Sequence, residues 1–462
     1  MKSTRRLVVV GVLMELAYLS FYLINDSLQD VALFIAVNAA TYALLAYVAF
    51  RPNGILARPS GQPSENGGLI QSEGQQDSRE KNLERGTLAV ILGFSVLFRL
   101  TLLFHDPIAS DDIYRYVWDG RVSAAGLNPY SHPSNDPALA HLHTEDLPAR
   151  ISFPEMRTIY PPLAQAFFWL SITLFGDSIT GMKLLLLIAD LCTIIVLLRL
   201  LRLQDSRLET IVLYAWSPVP IMYLALDGHI DGVGIPLLLL SLVFAGSSRK
   251  GLAGVSLGFA SLAKLYPVLV VPFLVRFGKG IHRFWPSLLS LIILGVGYVL
   301  YFEPTRGILE SLLVYGTSFE FNGPVFTILL KVLQSNLHAH ILSGILIVLW
   351  LVILFLMNRS LVEKTFLAFL GFFILSPTVH PWYFTWLAAL IVLRWSLPVF
   401  VLLAMSNLSN LVVYQYRATG VWKDQPLLIL LEYLPFFLLL LWESLRRRTT
   451  VSSKQTSSEL MK

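Results

Sequence analysis

The chain has 462 residues, 55% of them hydrophobic and only 14% charged, with a net charge of +5. A soluble globular protein carries about 25% charged residues, so a soluble enzyme and a nucleic-acid-binding module are both excluded. Apolar runs of about 18 residues or more recur from end to end, each long enough to cross a bilayer. A β-barrel would show short alternating segments, which are absent.

The elements are those of an all-α polytopic membrane protein. Lys2, Arg5 and Arg6 precede an apolar run that Glu15 interrupts. No small-residue cleavage site follows, so this run reads as an uncleaved anchor helix. Spans near 7–25 and 29–49 make residues 1–50 a leader of two helices. Residues 51–86, rich in Gly, Ser, Gln and Glu, cannot build a core and read as a disordered loop. Arg51, Arg58, Arg79, Lys81 and Arg85 assign that loop, with the N-terminus, to the cytoplasmic side. A third span near 87–104 opens the main transmembrane domain, 87–445, and delivers residues 105–160 to the extracytoplasmic face. Residues 161–176 are short for a crossing. A dip into the outer leaflet keeps Arg199, Arg202 and Arg207 inside. Spans near 181–203, 208–226 and 231–246 follow, then a hairpin at 251–277 broken at Pro267 with its tip near Lys264. A span near 284–302 leads to an outer segment, 303–338. Spans near 339–357, 363–377, 382–396, 397–416 and 425–445 complete the set, and residues 446–462 form a basic cytoplasmic tail. The lone cysteine, Cys192, lies in an apolar run and can form no intrachain disulfide.

Under this topology, "SDDIYRYVWDGR", "LDGHIDG", "LAKLYP", "FEFNGP" and "SPTVHPWYF" all reach the extracytoplasmic face. The topology rests on Lys and Arg in the other loops, so this convergence is a partly independent sign of one composite site. Asp111 and Asp112 are adjacent, with Ser110 before them as a candidate N-cap. Capping needs one acid at most. A helix over 112–124 puts Asp112 and Asp119 on one face two turns apart. The carboxylate pair is therefore the candidate general base. Lys264 sits between Leu262 and Leu265 at a depth where lysine snorkels or pairs. Interfacial snorkelling and contact with a lipid phosphate weigh equally there. His380, flanked by Pro381 and followed by Trp382 and Tyr383, fits either an aromatic belt or a phosphate partner. Tyr130 lies within the turn-rich run GLNPYSHPSNDP and offers a face for a sugar ring; Asn322 offers an amide. His229 and Asp231 in "DGHIDG" have metal-ligand types, but two ligands without a third make no zinc site. No metal is assigned. Asp190, inside a span, fits either a bond to a neighbouring helix or a place near the bottom of the site.

The ordered set Asp112, Tyr116, Gly126, Pro129, Tyr130, Tyr160, Pro162 and Leu163, followed by Lys264, Tyr266 and Pro267, resembles the GT-C membrane glycosyltransferases. It is closest to the polyprenyl-phosphate-mannose-dependent mannosyltransferases, including the enzyme that adds the first mannose of GPI anchors and its bacterial and archaeal relatives. The resemblance covers most of residues 87–390. One departure is that the family's acidic signature is often Asp-x-Asp, whereas Asp111 and Asp112 have no spacer. The resemblance implies a GT-C-like bundle of about 12–14 helices, with 105–160 as its catalytic loop. It also implies inverting transfer of a sugar, mannose first, from a polyprenyl phosphate to a lipid-linked or glycan acceptor. Asp112 is then the base, or Asp111; Lys264, Arg115 and His380 meet the phosphate; Asp119, Tyr130 and Asn322 hold sugar hydroxyls. No cofactor is required, and a divalent metal is left open. A secondary transporter ranks lower, because the polar motifs gather at one face and no internal repeat is visible. An oligosaccharide ligase or polymerase ranks lower because the late outer loop holds only Arg306.

Overall fold

The computed structural model describes residues 2–24, 27–51, 55, 73–275, 280–302, 310–423 and 425–459. The all-α polytopic class is borne out. Helix follows helix, and among the described residues the only β pairing is a pair of isolated bridges from Phe321 and Asn322 to Thr378. Among the described residues eight helices are long and apolar enough to cross a membrane, and a ninth crossing results if two bent pieces are one span. Those pieces, Leu208–Ala215 and Pro218–Leu226, meet at 50°. Pro218 causes the break, since a proline cannot donate to the preceding turn.

α1 (Lys2–Leu19) and α2 (Ser27–Phe50) are not appendages. α1 packs along α3 (Glu73–Leu103), and Thr101 of α3 donates to the Glu15 carboxylate of α1. Asn407 donates to the Ile35 carbonyl of α2 at 3.0 Å. α3 begins at Glu73, well before the expected span start, because the Glu-, Gln- and Lys-rich stretch before it suits a helix. The rest of the expected linker, 52–54 and 56–72, lies outside the described residues. The expected tail continues the helix Pro426–Glu459, with 460–462 outside the description.

Several expected spans are shorter or broken. α5 (Pro162–Phe175) has 14 residues and ends at Gly176, short of a crossing as anticipated. Helices Asp231–Gly246 and Lys250–Ala263 pack closely on each other and are apolar but short. The span expected at 382–396 is instead a tight turn, Pro381–Phe384, followed by a six-residue helix, Thr385–Leu390. Its large apolar side chains are core rather than lipid-facing: Phe384, Trp386 and Leu387 are fully buried.

Two larger apolar cores frame the segments that carry the polar motifs. The larger runs through the bundle around Trp216, Tyr223 and Trp386. The smaller lies under α4 (Asp112–Ala124) and α5, where Tyr116 stacks on Phe168 at 4.5 Å. Gly120 is what lets α4 and α5 touch, since a Cβ there would lie 2.6 Å from the Phe168 carbonyl oxygen. Inside the bundle Arg99 of α3 is fully buried and paired with Asp190 of α6 (Ile179–Leu203) at 2.5 Å. Tyr214 donates to the other Asp190 oxygen at 2.5 Å. The interhelical bond anticipated for Asp190 is thus an ion pair.

Candidate functional site

A cavity of about 520 Å³ opens where segments connecting the helices meet. Four of the five polar stretches singled out in the sequence line it, through Asp111, Asp112, Arg115, Lys264, Phe321, Thr378 and His380. The fifth, "LDGHIDG", lies directly beneath, through contacts with Asp112 and Lys264.

The start of α4 is set by its cap. Asp111 is the N-cap residue, and Ser110 Oγ accepts the Asp112 N–H at 3.3 Å, so Ser110 braces the turn without being the cap itself. The two carboxylates then diverge. Asp111 stands at the exposed rim and accepts Ser152 Oγ–H at 2.6 Å. Asp112 lines the cavity with its side chain 28% exposed, 3.5 Å from Nδ1 of His229. Their acidities separate accordingly. Although its side chain reaches the surface, the protein packed around the Asp111 carboxyl strips part of its water and, aided by the Asp112 charge, pushes it above the ordinary carboxylate value against the Ser152 bond. For Asp112 burial works in the same direction, but His229, Lys264 and His380 together outweigh it and hold the carboxyl below the ordinary value.

The backbone ahead of these acids is clamped. Asp227 Oδ1 accepts the N–H groups of Ile108 and Ala109 at 2.7 and 3.2 Å. Lys183 donates to the carbonyls of Leu102 and His105 at 2.9 and 2.7 Å, and Arg417 donates to that of Ile108. The turn that carries Asp227 and His229 needs Gly228, at φ +75°; a Cβ there would lie 2.6 Å from Ile113 of α4.

Lys264 ends the helix Lys250–Ala263 in an extended conformation. Its Nζ is 3.4 Å from Asp231 Oδ2 and 5.3 to 5.8 Å from the ring centres of Tyr160, Tyr266 and Tyr383. The lysine is therefore a fixed cation in an aromatic cage, which goes beyond snorkelling. Asp231 is held from its other side by Trp386 Nε1–H at 2.7 Å.

Opposite, four rings form one stack. His229 lies on Trp382 at 4.2 Å, Trp382 on His380 at 4.3 Å, and His380 on Phe321 at 4.8 Å. Burial pushes His380 down to about 3, so at neutral pH it faces the cavity as an N–H donor and not as a cation.

Other expected site residues have different places. Arg115 lines the cavity, but its Nη2 donates to the carbonyls of Phe153 and Met156, at 3.2 and 2.7 Å, and so holds the loop. Asp119 is off the cavity wall and buried under α5, where Gln165 Nε2 donates to it at 3.0 Å and to Thr158 at 2.9 Å. Seven residues along a helix are about 10 Å, so sharing a face with Asp112 does not bring Asp119 into the same cavity. Tyr130 is buried and donates to the Tyr160 carbonyl at 2.6 Å. Asn322, at φ +53°, donates to buried Glu432 at 3.0 Å. These three polar groups are satisfied within the protein and brace the walls. His229, Asp231 and Trp382 are the residues that sequence reasoning passed over. For His229 and Asp231 the Asp-Gly-His-Ile-Asp run is the signal, although by spacing alone it suggests an incomplete metal site.

The fold and the site together define a polytopic helical membrane protein with an acid and a caged lysine at one cavity. Residues 72–278 match the model of the MptA_B family, described as the N-terminal domain of alpha-(1->6)-mannopyranosyltransferase. The resemblance to GT-C mannosyltransferases is borne out by that match, and over this stretch the chain is similar to a mannosyltransferase domain. The matched stretch includes Asp111, Asp112, His229, Asp231 and Lys264. No curated protein and no solved structure gives a match.

Proposed function

We propose that the protein transfers mannose from a polyprenyl-phosphate donor to a glycan or glycolipid acceptor at the extracytoplasmic face, with inversion. The observation that carries this reading is that Asp112 and Lys264 line one cavity among aromatic rings, at the end of a membrane bundle. Glycosyl transfer from a phosphate needs a base for the acceptor hydroxyl and a cation for the departing phosphate. It needs no general acid, because the phosphate leaves as a stable anion.

Asp112 takes the base role. It is the carboxylate of the pair held ionised, whereas Asp111 is pushed up and occupied by Ser152. The acceptor hydroxyl gives its proton to Asp112 as its oxygen attacks the anomeric carbon; the bond to the phosphate oxygen breaks, and the phosphate keeps the electron pair. Lys264 meets that developing charge, with the His380 N–H as a neutral second donor. Attack opposite the leaving group inverts the anomeric centre. The Lys and Arg distribution, with both termini cytoplasmic, supports an extracytoplasmic cavity.

The test is reconstitution in nanodiscs with radiolabelled polyprenyl-phosphate mannose and an alkyl mannoside acceptor. The expected result is a labelled product with the anomeric configuration inverted relative to the donor. Transfer from a nucleotide-linked mannose instead, or retention of configuration, overturns the reading.

A further inference from the structure

We infer that His229 is the positioning residue of the base: through Nδ1–H it aims the Asp112 carboxylate at the acceptor. The inference rests on the assignment of Asp112 as base.

His229 has a buried side chain, and neither ring nitrogen closes a hydrogen bond within the protein. A buried imidazole with two open nitrogens is costly, so it needs a reason beyond packing. The nearest charged atom is Asp112 Oδ2, at 3.5 Å from Nδ1. That is just beyond a good hydrogen bond, and catalytic contacts commonly tighten only when substrate binds.

The stack supplies the aim. His229 lies on Trp382 with the ring planes 15° apart, and Trp382 lies on His380 with theirs 9° apart. A stacked imidazole keeps its plane, and its N–H bonds lie in that plane. Gly228, at φ +75°, lets the turn seat against Ile113, which fixes the height of the ring beside the first turn of α4. The ring is thus constrained in tilt by the stack and in position by the turn. With one Asp112 oxygen engaged by Nδ1–H, the other is left for the acceptor hydroxyl.

The surroundings of Asp112 allow this role to be read by pH. Besides His229 it is faced by Lys264, His380, Asp111 and the phenols of Tyr116, Tyr160, Tyr266 and Tyr315. Burial keeps His380 neutral and the phenols protonated near pH 7, so there Lys264, Asp111 and His229 act on it, and the His380 charge adds to them only as pH falls toward about 3.

Asn places an amide N–H where Nδ1 stands, and Gln places one nearer the position of Nε2. The experiment compares wild type, His229→Asn, His229→Gln and His229→Ala in nanodiscs, with polyprenyl-phosphate mannose and an alkyl mannoside. The expected order of kcat is wild type, then Asn, with Gln and Ala lower by about 100-fold. Donor KM stays within about twofold, since an equal change in kcat and kcat/KM marks an interaction of the transition state. In Gln and Ala the acid limb of kcat/KM moves to higher pH; in Asn it does not. Equal rates for Asn and Gln, or losses with an unmoved acid limb, overturn the inference and reduce His229 to packing. Absence of transfer by wild type overturns the transfer reading itself, a different outcome from any of these.

Discussion

Asp231 holds Lys264 from below, 3.4 Å from its Nζ, while Trp386 holds Asp231 from behind at 2.7 Å. The lysine therefore has one counter-charge, an aromatic cage and an open side toward the cavity. That is the arrangement an anionic leaving group would use. Charged hydrogen bonds contribute about 1.5–3 kcal/mol each. Lys264→Met should thus weaken binding of polyprenyl phosphate about 10- to 100-fold, as read by titration in nanodiscs, with Lys264→Arg recovering part of it. Unchanged affinity in Lys264→Met would remove the phosphate role from this residue.

The adjacent acids should behave differently. General base catalysis contributes about 10²- to 10⁴-fold, so Asp112→Asn should lower kcat by that range. Asp111→Asn, at the rim and bonded to Ser152, should cost no more than about threefold. Steady-state rates of the two variants, with folding checked by donor binding, decide between them. The reverse order would move the base to Asp111.

The pH profile gives an independent reading. Asp112 is held below its reference of 3.8, and its basic form is present above its own pKa and lost as pH falls through it. The acid limb of kcat/KM should therefore lie below that reference, with activity level at pH 5. Asp111 is shifted the opposite way, so a limb above the reference would identify it as the titrating acid. Profiles of wild type and Asp111→Asn should coincide on the acid side.

The Arg99–Asp190 pair tests the scaffold apart from the chemistry. Both side chains are buried and the pair joins α3 to α6. Removing one partner of a buried pair costs about 3–5 kcal/mol, because it strands the other charge. Asp190→Leu should lower thermal stability in nanodiscs and leave polyprenyl-phosphate affinity in the folded fraction unchanged. A variant as stable as wild type would show that the pair contributes little.

Much of this was legible in the sequence, because membrane spans and Pro- or Gly-marked breaks are strong local signals. The five polar stretches converge as their common side required, and Asp112 and Lys264 share one cavity. Pairings across distant segments were not legible. His229 meets Asp112 and Trp382, and Asp231 meets Lys264 and Trp386, only once the bundle is folded. Nor does sequence distinguish a polar group awaiting ligand from one already satisfied. Asp119 is taken by Gln165, Tyr130 by the Tyr160 carbonyl and Asn322 by Glu432. The span expected at 382–396 failed for a related reason. Its aromatic residues are apolar enough for lipid, yet they fill the core behind the cavity.

The measurement that bears most directly on the central claim is a single-turnover transfer in nanodiscs. Wild type and Asp112→Asn are each pre-loaded with radiolabelled polyprenyl-phosphate mannose and then given excess alkyl mannoside. The expected result is equal loading, rapid product formation by wild type and a rate at least about 100-fold lower for the variant. Equal single-turnover rates with equal loading would contradict it.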